Sequence, residues 1–99
     1  MAKLETRADG LYIDGKKVVR GWESFSGWYW FGLEIARTQD SIINGRVIPG
    51  DNIWYGFIQG FEDEWGYFSQ GEIESIGKYK VWPIEEIDLP HAGRREQRQ

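Results

Sequence analysis

Apolar and polar residues alternate at a period of two over several stretches of this chain, which predicts a protein built mainly from β-strands. Leu11-Tyr12-Ile13 and Val18-Val19 flank Asp14-Gly15. That arrangement predicts a hairpin, because Gly, and Asp at some cost, adopts the positive φ of a type I′ turn. Lys16 and Lys17 open the return strand. Gly21 to Gly27 contains Ser24, Ser26 and a glycine at each end, and reads as a loop or a short irregular edge. Trp28 to Arg37 is the longest strand candidate. Tyr29, Phe31, Leu33 and Ile35 fall on one face, and Trp28, Trp30, Gly32, Glu34 and Ala36 on the other. Both faces are aromatic at its start, so that end is expected to be covered on two sides.

Thr38 to Asn52 carries turn chemistry at both ends, in Asp40 and in Pro49-Gly50-Asp51, and reads as a long connection. Ile42-Ile43 and Val47-Ile48 bracket Asn44-Gly45, so a small hairpin can sit inside it. Ile53 to Gln59 is a second strand, Gly60 to Glu64 a turn, and Trp65 to Phe68 a short returning strand. Ser69 stands three residues before Glu72, a capping-box spacing that opens a short helix over Gln70 to Ile76, with Gly77 as its stop. Gly71 in its first turn weakens that helix by roughly 1 kcal/mol. Tyr79 to Ile87 is the last strand, and Pro83 within it argues for a sheet edge or a bulge. His91 to Gln99 is polar and aperiodic, and is expected to form a disordered tail after one globular domain over residues 1–90. The expected class is α+β, mainly β: a small antiparallel sheet or partly open barrel with one short helix near residues 70–76.

Composition sharpens this picture. The chain has 99 residues, 40% of them hydrophobic and 16% aromatic. Each aromatic side chain buries about 150–250 Å², so a few central rings suffice for a core. There is no cysteine, which excludes disulfides, thiol catalysis and cysteine-based zinc sites. No run of about 18 apolar residues spans a membrane. The first ten residues carry Lys3, Glu5, Arg7 and Asp9 and lack the apolar region of a signal peptide, so a cytoplasmic location is expected. Charge is uneven: residues 1–50 hold seven basic and six acidic side chains, residues 51–90 two and nine, residues 91–99 three and one. An acidic half repels phosphates, so direct nucleic-acid binding is not expected.

Catalytic chemistry finds little support. The single histidine, His91, lies in the polar tail, which disfavours a scaffold-held general base or a Ser-His-Asp triad. Paired carboxylates remain formally available in Glu34 with Glu62, Asp63 or Glu64. Three consecutive acids lack the spaced ligands of a calcium loop, and no phosphate-binding glycine motif occurs. Gly32, Gly56 and Gly66 each neighbour aromatic residues; they read as room for core rings, or as the floor of a shallow groove. The strongest lead is the surplus of six Trp and five Tyr, residue types enriched at interaction hot spots. The candidate patch is Trp22, Trp28, Trp30, Trp54, Trp65 and Trp82, rimmed by Glu62, Asp63 and Glu64. Among these, Trp22, Trp28, Trp30 and Trp82 are expected to be partly exposed.

The segment Trp54-Tyr55-Gly56-Phe57-Ile58-Gln59-Gly60-Phe61-Glu62-Asp63-Glu64-Trp65-Gly66-Tyr67-Phe68-Ser69 resembles the family catalogued as domain of unknown function 2958, small proteins of bacterial chromosomes, plasmids and phages. Trp28-Tyr29-Trp30, Glu72-Ile73-Glu74 and Pro83-Ile84-Glu85-Glu86-Ile87-Asp88 extend the likeness over about residues 27–88. Glu86 stands where the family usually has Arg, and Gly71 where it has a larger helix former. The resemblance implies a compact β-rich domain with one or two short helices, and no assigned activity.

Three functions follow as expectations. The first is a non-enzymatic interaction domain without a cofactor, which binds a protein partner through the aromatic patch and its acidic rim. The second is an acidic decoy of a nucleic-acid-binding protein, of the kind mobile elements encode. The third is a small hydrolase or ligand-binding domain, which requires a concave pocket with converging carboxylates. Sheet edges at Pro83 or in the N-terminal hairpin could pair two copies into a homodimer.

Overall fold

The computed structural model of the chain describes residues 2–95. Two antiparallel sheets lie face against face. The smaller contains β1 (Leu4–Arg7), β2 (Gly10–Ile13) and β3 (Lys16–Lys17) in that order. The larger contains β4 (Arg20–Ser24), β5 (Tyr29–Ile43), β6 (Arg46–Gln59), β7 (Asp63–Ser69) and β8 (Val81–Pro83), ordered β7-β6-β5-β4-β8. One short helix, α1 (Gln70–Glu74), follows β7. The expected mainly-β class with one short helix is therefore observed, and the sheets do not close into a barrel.

Local chemistry explains most of the boundaries. Asp14 (φ 51°) and Gly15 (φ 81°) join β2 to β3, and Asn44 (φ 53°) and Gly45 (φ 76°) join β5 to β6. Positive φ at both central residues is the demand of a type I′ hairpin turn. Ser69 caps α1 by accepting the Glu72 N–H at 3.0 Å, as the capping-box spacing predicts. Pro83 sits in β8, an edge strand, where a missing N–H costs no ladder bond.

Four expectations are corrected. Residues 38–52 are not a loop: they extend β5 and β6 into one long hairpin, whose turn is the small Asn44-Gly45 hairpin. Residues 20–24 form β4 inside the larger sheet, not a loop. The last strand shrinks to Val81–Pro83, and the segment after it runs through turns into a 3-10 turn at Leu89–His91. The tail expected to be disordered begins as structure. Gln59, fully buried, donates to the Arg94 carbonyl at 2.8 Å and accepts the Arg94 N–H at 2.6 Å. The remainder of that tail, residues 96–99, lies outside the described residues.

The aromatic start of β5 is covered on both sides, as its pattern predicts. Phe31 and Phe57 face the smaller sheet and pack with Leu11, Ile13, Val18 and Leu89. Trp22, Trp30 and Trp54 face the other way and pack with Phe68, Val81 and Ile73 of α1. Trp22 meets Trp54 and Phe68 edge-on, at 5.7 Å in each case.

Candidate functional site

The turn between β4 and β5 fixes one wall of an apolar surface. Ser24 is buried, and its hydroxyl accepts the Trp28 N–H at 3.1 Å, while its own N–H donates to the Trp28 carbonyl at 2.9 Å. Gly27, at φ 85°, completes the turn. Trp28 is thereby held just before β5, half-buried, with its ring lying across the backbone of Gly60. A Cβ at Gly60 would sit 2.5 Å from the ring, so only glycine admits this placement. Phe61 then packs edge-on against Trp28 at 5.1 Å and is itself 93% exposed.

Two open clefts share Trp28. One, of 240 Å³, is lined by Phe25, Trp28, Trp30, Ile76 and Val81, with Ser24, Ser26 and Lys80. The other, of 270 Å³, is lined by Trp28, Ile58, Gly60 and Phe61 with Glu62 and Glu64. Together they make a shallow groove with aromatic walls and two carboxylates at one end. Phe25 is 72% exposed, and an exposed pair of phenyl rings flanking a half-buried indole is costly in water unless something covers it. Glu62 and Glu64 make no ion pair among the described residues, whereas Asp63 pairs with Arg94 at 3.2 Å.

The candidate residues read from the sequence separate into distinct places. Trp28, Trp30, Glu62 and Glu64 do line this groove. Trp22 is 0% exposed, and Trp30 and Trp54 are buried too, which corrects the expected exposure of Trp22 and Trp30. Their indoles form the interior of the second layer: Trp22 Nε1 donates to Glu74 at 3.2 Å and Trp54 Nε1 to Gln70 at 3.0 Å. Trp65 belongs to the opposite face, 5.0 Å from Phe57. Trp82 pairs in register with Glu23, and so lies on the face away from Trp22. Phe25, Ile58, Phe61 and Ile76 were missed. A phenylalanine set in a Ser-rich turn, and another in an acidic one, were the available signals.

A larger cleft of 560 Å³ lies between the smaller sheet and β4, lined by Asp9, Lys17, Arg20 and Glu86 around Val18, Val19, Ile84 and Leu89. Asp9 accepts from the Tyr12 hydroxyl at 3.0 Å, and this bond, chiefly, holds its carboxyl below the usual range. A general acid needs the opposite shift. Asp51, buried at the root of α1, is pushed up by burial. Hydrogen bonds from the Ser69 and Ser41 hydroxyls and the Gly71 N–H outweigh that and hold it below its ordinary value. Every donor it meets is thus structural. Among the described residues no group of three or more His, Cys, Asp or Glu is placed to hold a metal ion, and no helix is long and apolar enough to cross a membrane.

No known protein family, no curated protein and no solved structure matches the chain.

Proposed function

We propose that this protein is a non-enzymatic interaction module, and that the groove around Trp28 takes an apolar segment carrying positive charge from a protein partner. The single observation behind this reading is the exposure of Phe25 and Phe61 on either side of a half-buried Trp28, with Glu62 and Glu64 at one end. Rings supply area at low entropic cost, and the carboxylates favour a basic segment by complementarity. Asp9 and Asp51, whose carboxyls are held below their ordinary values by hydrogen bonds, are poor candidates for acid catalysis. The family resemblance over residues 27–88 is carried with this proposal, and nothing in it depends on that likeness.

The test is fluorescence anisotropy with a panel of short labelled peptides that vary in aliphatic, aromatic and basic content. Peptides combining aliphatic and basic residues should bind best. Phe61→Ala should weaken them about ten-fold, the loss of one well-packed ring. Tyr79→Ala, which removes an equally exposed ring outside the groove, should change nothing. Equal effects at the two positions would remove the basis of the proposal.

A further inference from the structure

The two clefts that share Trp28 differ in charge. The one toward Phe25 is lined by rings and aliphatic side chains and includes Lys80. The one toward Phe61 has no cation in its lining, only Glu62 and Glu64. Strand alternation accounts for this. Trp22 pairs with Trp30, Trp30 with Ile58 and Ile58 with Glu64, so Glu64 ends a row of side chains on the α1 face of the sheet. Asp63 pairs with Gln59 and belongs to the opposite face, where Arg94 neutralises it at 3.2 Å. Glu62 lies in the turn that the Gly60 N–H closes by donating to the Glu62 carbonyl at 3.1 Å. The same turn fixes Phe61, whose ring stands at 80° to the indole of Trp28. Perpendicular rings leave a corner bounded by two π faces, and the face is the negative part of a ring. Elsewhere the chain covers such faces with its own cations. Arg7 lies 3.9 Å from the centre of the Tyr12 ring, Arg20 5.1 Å from that of Trp22 and Lys78 5.3 Å from that of Tyr79. Among the described residues none lies over Trp28 or Phe61.

We propose that this corner receives a methylated ammonium group, the trimethylated head of a lysine side chain on the partner. The inference rests on the reading of the groove given above and names the group that its acidic end takes. Two rings attract a cation through their quadrupoles, and two carboxylates add to that attraction. An unmodified lysine head is held back by its hydration. It carries three N–H donors and a tight water shell, which ring faces do not replace. Methylation removes the donors and keeps the charge. The methyl groups then meet Trp28, Ile58 and Phe61, while Glu62 and Glu64, both exposed, balance the charge without shedding their water. Aliphatic neighbours of that lysine run on into the cleft of Phe25, Ile76 and Val81, which supplies apolar cover.

The probes are three short labelled peptides in which leucines flank one test residue: lysine, trimethyllysine, or the uncharged isostere with a tert-butyl group in place of trimethylammonium. In fluorescence anisotropy the trimethyllysine peptide should bind about five-fold tighter than either of the others. Phe61→Leu keeps an apolar side chain and removes the π face, and Phe61 is 93% exposed, so the core is untouched. This variant should lose the preference for trimethyllysine over the isostere and bind the isostere within about two-fold of the original chain. Glu64→Gln should weaken the two charged peptides and spare the isostere. An isostere that binds as well as trimethyllysine marks a plain apolar groove, and a lysine that binds as well marks a plain ion pair. Either result overturns the inference and leaves the groove as a peptide site. No binding by any of the three peptides removes the groove itself, and the inference with it.

Discussion

Three glycines lie in one row across the larger sheet, and the same substitution should destabilise at two of them and stabilise at the third. Gly32 pairs with Gly56, and Gly56 with Gly66. None has positive φ, so alanine brings no backbone strain at any of them. What differs is the space where a Cβ would go. At Gly32 the Trp54 ring lies across the backbone, with Cδ2 2.7 Å from that point. Overpacking of this kind costs about 1–3 kcal/mol, because Trp54 is buried and can move only by disturbing Trp22. At Gly56 the obstacle is the Phe31 carbonyl, its carbon 2.8 Å away, and backbone yields less readily than a ring. Gly56→Ala should therefore exceed Gly32→Ala. At Gly66 nothing lies within 4 Å. There alanine removes only the entropic penalty of a strand glycine and should stabilise by about 0.5 kcal/mol. In urea, with a slope of about 1 kcal/mol per molar for a chain of this size, Gly32→Ala should lower the midpoint by about 1–3 M. Gly66→Ala should raise it by about half a molar. A Gly66→Ala variant destabilised as much as Gly32→Ala would show that strand conformation, not collision with Trp54, sets the preference.

Asp51 and Gln59 supply the remaining predictions. Asp51→Asn should cost about 2 kcal/mol at neutral pH, since the charged acceptor serves three donors. The carboxyl is held below its unfolded value, so its contribution is fully present above about pH 4 and is lost as pH falls through the folded value; urea melts of the two forms should converge in acid. Gln59→Ala should release the segment around Arg94, which Gln59 holds as a second backbone would. Fast amide exchange at Arg94, with the β6 amides still protected, is the expected signature.

Signals that act within a few residues were legible in the sequence. The Asp14-Gly15 and Asn44-Gly45 turns, the Ser69 cap and the two-sided aromatic start of β5 are all set by neighbouring residues. Where the sequence reading failed, a distant partner had taken over a local cue. Gly21 suggested a loop, yet it serves packing: a Cβ there would stand 2.9 Å from Leu89 and 3.1 Å from Ile84. β4 is a strand because β5 and β8 pair with it on both sides. Asp40, Pro49 and Gly50 suggested a connection, yet they build the irregularity near the tip of the long hairpin. Gly50 takes φ 63°, and its N–H donates to Asp40 at 3.1 Å, next to the register shift at Gln39/Ser41.

The exposure of the tryptophans followed from a quantity that no single residue carries, the size of the cover on the second face. α1 has five residues, a length of about 7–8 Å at 1.5 Å per residue. Five strands spaced about 4.8 Å apart present a face of roughly 20 Å. A helix this short can roof only part of it. It roofs the part where Ile73 meets Trp22, Trp54 and Phe68, and the rings there vanish from the surface. At the other end of the same face Trp28 and Ile58 are left half-covered, and Phe25 and Phe61 stand in water. The groove is thus what remains when a wide aromatic face meets a narrow lid, and the same shortage of cover that created it supplies the driving force for whatever closes it.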